Sequence, residues 1–146
     1  MHPCVSRIRL FAFVLSLLLL STASVAKDGR DFSGFYHIGN VATQGDQVAL
    51  TFQIHLFNHS DADLGRAVVT LRSSQPALPP LAQLQAAEPW RNGGEVKLAQ
   101  QVVISKGEYE RWQRGAQPIV MVVYHDASGH RWERFAQVSI RPGLEQ

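Results

Sequence analysis

Cysteine is almost missing from this 146-residue chain, and Cys4 is the single one. It lies in an N-terminal segment with the layout of an export signal. Arg7 and Arg9 precede a run from Leu10 to Leu20 that is apolar except for Ser16, and the small residues Ser24 and Ala26 follow before Lys27. Cleavage after Ala26 is expected to remove residues 1–26. The exported chain then holds no thiol, which excludes disulfides and thiolate metal sites. The apolar run is also short of the roughly twenty residues a membrane anchor needs, so no stable membrane insertion is expected after cleavage. No cysteine directly follows the run, which excludes a lipoprotein anchor.

Charge of one sign is the second shortage. The chain carries 14 basic and 12 acidic residues, and Arg7 and Arg9 leave with the signal, so the remainder is formally neutral. Nucleic acid and anionic membranes call for clustered Lys and Arg, and neither is an expected partner. Phosphate-cradling loops are missing too, because Asn92-Gly93-Gly94 is not followed by a lysine and a helix.

Catalytic motifs are equally sparse. There is no Gly-x-Ser-x-Gly elbow. Ser60 and Asp61 adjoin His59, and Ser128 lies between His125 and His130, but neighbours within one turn point apart and do not assemble a nucleophile with its base. Glu108 and Glu110 read as a helix cap and a surface ion pair rather than paired acids for glycoside cleavage. The sequence therefore predicts no enzyme and no cofactor, with a small hydrolase kept as a remote alternative.

What the chain does have is period-two alternation. From Val48 to Phe57, the apolar residues Val48, Leu50, Phe52, Ile54 and Leu56 share one parity, which a strand turns to a single face. Leu64 to Arg72 alternates again after a polar link that includes Asn58-His59-Ser60, so the two runs are expected to pair as an antiparallel unit. Four prolines between Ser73 and Trp90 mark a connection that crosses between sheets, with at most a short edge strand at Leu81 to Gln85. Glu95 to Ile104 reads as a strand with a bulge or a strand change near Ala99 to Gln101, where Gln100 breaks the apolar parity. Ser105 and Glu108 have capping-box spacing and open a short helix over Lys106 to Arg114. Pro118 to Tyr124 and Trp132 to Ile140 form a closing hairpin around Asp126 to Gly129, with Arg134 placed at the rim.

These signals give an all-β chain: an immunoglobulin-like antiparallel β-sandwich of about seven strands with one short helix. The expected organisation is a signal peptide over 1–26, a flexible leader over 27–32, the sandwich over 33–141 and a tail over 142–146. In place of an immunoglobulin disulfide, Phe52, Trp132 and Val122 are expected to fill the core. A closed barrel is the alternative.

Val48 to Leu71, with its alternating strand, Asn-x-Ser turn, acidic pair and second strand ending in Leu, resembles the opening of bacterial extracytoplasmic immunoglobulin-like modules of the CARDB and NEW3 type. The closing hairpin with Tyr124, Asp126 and Gly129 is similar to the end of such modules. The resemblance implies adhesion or spacing beside other proteins, and it implies no catalytic residue.

Function is therefore expected to be binding, to another envelope protein or polymer. Trp90 in the proline-rich connection, with Arg91 beside it, is the aromatic expected to be exposed, and Tyr109 and Trp112 share a helix face. A partner strand is expected at Ala67 to Leu71 or at the Leu81 segment. The alternative is a metal site, should His55 and His59 meet His125 and His130.

Overall fold

The computed structural model describes residues 31–75 and 77–141. The predicted signal peptide, most of the leader and the tail at 142–146 lie outside them. Eight strands and one helix follow in order: β1 (Phe32–Gln44), β2 (Gln47–Asn58), β3 (Ala67–Arg72), β4 (Ala82–Gln85), β5 (Glu95–Ser105), α1 (Lys106–Gln113), β6 (Ile119–His125), β7 (Arg131–Phe135) and β8 (Gln137–Ile140). They form two four-stranded sheets, ordered β5-β2-β1-β8 and β4-β3-β6-β7. The protein is an all-β sandwich. All strand pairs are antiparallel except β1 with β8.

Alternation in β2 does what its pattern dictates. Val48, Leu50, Phe52, Ile54 and Leu56 are all buried, against Val69 and Leu71 of β3 and Val120 and Val122 of β6 in the same core. Each such side chain is worth roughly 1.5–3 kcal/mol on burial, so this face alone commits β2 to the core. Phe52 stacks on Tyr36 at 5.1 Å between ring centroids. Phe52 and Val122 are fully buried, whereas Trp132 is only partly so.

Four expectations are corrected. The run from Trp132 to Ile140 is two strands, which makes eight among the described residues where about seven are expected. At Ala136, whose N–H donates to the Val120 carbonyl at 2.9 Å, the chain leaves the partner of β6 and joins β1 in the other sheet. Both sheets face one core, so the chain changes sheet without changing the parity of its inward side chains, and alternation cannot mark the switch. Second, β2 and β3 lie in different sheets, and the link between them is an arch. Buried Asn58 holds that arch. Its Nδ2 donates to the carbonyls of Ala62 at 2.9 Å and Trp90 at 3.2 Å, and its Oδ1 accepts from the Ser60 N–H and hydroxyl.

Third, the β2–β5 register runs unbroken from Gln47↔Ser105 to Phe57↔Glu95, so β5 has no bulge. Gln100 keeps the inward parity yet stays exposed, as an edge strand allows. The irregularity lies in β1, between Gly39 and Ala42. Fourth, the domain starts before Ser33. Asp31 and Phe32, assigned to the leader, are buried, with Phe32 edge-on to Tyr124 at 5.9 Å. The proline-rich connection supplies β4 as a short edge strand beside β3, and the crossing between sheets follows β4 rather than preceding it.

Candidate binding groove

Trp90 is not a surface residue. It is 1% exposed, its ring packs on Phe32 at 5.3 Å, its indole Nε1–H donates to the Gly94 carbonyl at 3.1 Å, and its backbone pairs with Leu64. The connection that carries it crosses one end of the sandwich, where Phe32 and Leu64 would otherwise leave core open to water. Burying the indole closes that end, and an aromatic of this size gains most by being inside. Arg91 beside it is exposed, so the two do not form one binding surface.

Tyr109 and Trp112 are brought together as their spacing requires. The Ser105 hydroxyl accepts from the Glu108 N–H at 3.1 Å and starts α1. The Glu108 side chain does not complete a capping box. Four residues before Trp112, it points into the protein, where Oε1 accepts from the Trp112 indole at 2.7 Å and Oε2 accepts from Ser73 at 2.8 Å and from Arg111. Burial raises the Glu108 pKa, but the bonds from Ser73, Arg111 and Trp112 and the Arg111 charge outweigh it and leave the carboxyl below its ordinary range. The sequence makes Glu108 the reciprocal residue of a capping box, not a buried carboxylate. The missed signal is the Glu108–Trp112 spacing, which sets a carboxylate and an indole on one inward helix face.

Trp112, fixed in this way, forms the back wall of a groove of about 220 Å³ between α1 and β1. Tyr36, Ile38, Val41, Tyr109 and Ile140 complete the apolar lining. Val41 is 43% exposed and Ile140 49% exposed. Val41 reaches the groove because of the β1 bulge: Asn40 and Val41 together oppose the single residue Leu50, and Asn40 takes a φ of 49°. Asparagine tolerates this left-handed backbone, and its Nδ2 donates to the Thr51 hydroxyl at 3.3 Å. The bulge shifts parity by one, so odd-numbered Val41 joins Tyr36 and Ile38 on the groove side.

Among the described residues, the backbone beside this groove is only partly paired. Strand β8 pairs with β1 only over Ser33 to Tyr36, and the last bond runs from the Arg141 N–H to the Tyr36 carbonyl at 2.8 Å. Peptide groups alternate along a strand, so Ile38, of the same parity as Tyr36, turns its N–H and C=O to that side. Among the described residues no strand pairs there with β1 beyond Tyr36. The edges expected from sequence differ. Ala67 to Leu71 lies inside its sheet between β4 and β6, while the Leu81 segment does end in the edge strand β4.

The four metal candidates are dispersed. His55 packs on Phe35 at 4.7 Å and His59 on Phe57 at 6.4 Å on the outer face of one sheet, whereas His130 packs on Trp132 at 4.6 Å at the hairpin, and His125 is exposed. Among the described residues no group of three or more His, Cys, Asp or Glu side chains could hold a metal ion. The serine hydroxyls near these histidines are engaged in their own turns, Ser60 with Asn58 and Ser128 with Asp126, each at 2.6 Å. One contact unforeseen in the sequence joins Ser33 Oγ and His59 Nε2 at 3.0 Å across β1 and β2. It borders a wide depression of about 670 Å³ at the start of β8, whose lining carries no ionisable side chain. No family model matches this chain, and neither a curated protein nor a solved structure matches it.

Proposed function

We propose that this chain is an exported, non-catalytic binding module of the cell envelope, of immunoglobulin-like type, that takes an extended segment of another envelope protein along the open edge of β1. One observation carries the reading: a stretch of β1 backbone that has no strand partner among the described residues lies directly against an apolar groove. Main-chain bonds to an edge supply affinity, and a pocket for alternate side chains supplies selectivity. The incoming strand continues the line that β8 begins and sets one apolar side chain between Val41 and Tyr109. The export signal and the lack of catalytic motifs support the same reading, as do the arches that carry the chain between its two sheets.

A photo-crosslinking residue at Val41 of the full chain, expressed in its own cells, tests this. A discrete adduct is expected at Val41 and not at Gln101 on the far edge strand β5, and it disappears when Ile38→Asp is added. No adduct at Val41, or equal adducts at both positions, contradicts the reading.

A further inference from the structure

The outward face of the β4-β3-β6-β7 sheet holds a second groove, remote from the β1 edge. The register sets Gln83, Thr70, Met121 and Phe135 in one row across the four strands, all pointing away from the core. Thr70 and Met121 are buried nonetheless. They form the floor of a groove of about 240 Å³, with Val68 and Val123 beside them and Pro80 in the wall.

Its two rims differ in charge. Arg131 is neutralised by Glu133 at 2.6 Å. Arg72, which lines the groove from the same face of β3 as Thr70, is half-buried and has no ion pair among the described residues. The Thr70 hydroxyl and the Gln83 amide, opposite one another in the row, make no side-chain hydrogen bond with the described residues. A partly desolvated guanidinium, with its planar fork of donors, next to an unclaimed hydroxyl and amide is a seat for a carboxylate. Leading away from it, the row passes Met121 to Phe135, which is 60% exposed. Phe135 lies just beyond the groove's lining, and the Arg131–Glu133 pair borders the track on the Val123 side, so the apolar path out of the groove runs over Met121 to Phe135.

We infer that this groove binds a medium-chain fatty acid, with its carboxylate on Arg72 and its acyl chain lying across Met121 toward Phe135. From β3 to β7 the row crosses two strand spacings, roughly 10 Å, which suits a chain of this class. The head group satisfies the one cation of the groove that has no counter-charge, and the chain covers Met121 and Phe135.

Isothermal titration of the full-length chain with decanoate, below the concentration at which it forms micelles, tests the assignment against decanol and acetate. Saturable binding of one decanoate per chain is expected, with decanol weaker and acetate silent. Arg72→Gln, at a partly exposed position, is expected to weaken decanoate about tenfold or more through loss of a charge-assisted pair. Phe135→Ser weakens it by a smaller factor, and circular dichroism verifies that both variants are folded. Absence of saturable decanoate binding overturns the inference, as does a folded Arg72→Gln that binds equally well. Decanol binding as tightly as decanoate overturns the carboxylate seat, and acetate binding as tightly overturns the acyl track.

Discussion

Each end of the sandwich fastens a tryptophan with a carboxylate, and the two ends do so at different depths. At the helix end, Glu108 accepts from the Trp112 indole and the Ser73 hydroxyl, which lies 35 residues away in sequence. At the hairpin end, Asp126 accepts from the Trp132 indole at 2.8 Å and from Ser128 and the His130 N–H within its own turn. The bonds are of the same kinds, yet Glu108 is buried with Arg111 against it, while Asp126 sits in a solvated loop. Depth and sequence separation decide what each arrangement does. Glu108 ties α1 to the connection after β3 and thereby sets the wall of the groove. Asp126 shapes one hairpin.

The sharpest way to break this comparison is to remove both anchors in turn. Glu108→Ala leaves Arg111 without its counter-charge and orphans the Ser73 and Trp112 donors, for an expected loss of about 3–5 kcal/mol in urea unfolding. Glu108→Gln keeps the shape and is expected to lose less. Asp126→Asn is expected to lower the melting temperature by less than Glu108→Ala, with amide exchange quickened only around residues 126–132. Equal losses from Glu108→Ala and Asp126→Asn would erase the distinction.

Acid titration sharpens it further. Bonds from Ser128 and Trp132, with backbone bonds from His130 and Ser128, outweigh desolvation and hold Asp126 below its ordinary value of 3.8; Glu108 is likewise held below 4.5. Both contribute stability that is present above those values and lost as pH falls through the lower folded-state ones. Glu108→Gln is therefore expected to flatten the acid limb of the stability profile. Tyr36 gives the opposite sign. Burial pushes its phenol from 10.0 up to about 12, so its contribution is intact below pH 10 and fades as pH rises from about 10 to about 12. Tyr36→Phe is expected to remove that alkaline limb, as followed by denaturant melts.

The smallest effect is expected in the groove itself. Val41→Ser alters an exposed side chain and should change stability by no more than about 0.5 kcal/mol. Read from a photo-crosslinking residue at Gln113 on the same groove, the same substitution is expected to weaken partner capture at the β1 edge, which separates a binding role from a structural one.

Particular residues explain how far the sequence could be read. The even-numbered face of β2 was legible because strict alternation has one solution, and Tyr109 with Trp112 was legible because three-residue spacing places both on one helix face. Trp90 was not, since local composition marks a connection but not whether it closes an end of the core. The sheet switch at Ala136 and the separation of β2 from β3 were hidden because both sheets share one interior. Glu108 looked like a cap because its burial depends on Ser73, far away in the chain. The open edge of β1 depends on where β8 stops pairing, at Tyr36, and no pattern within β1 records it.

Amide hydrogen exchange along β1 tests that open edge most directly. Slow exchange is expected for His37 and Gly39, whose N–H groups face β2, and fast exchange for Ile38 between them, whose N–H faces the edge beyond β8. Protection of Ile38 equal to that of its two neighbours would contradict it.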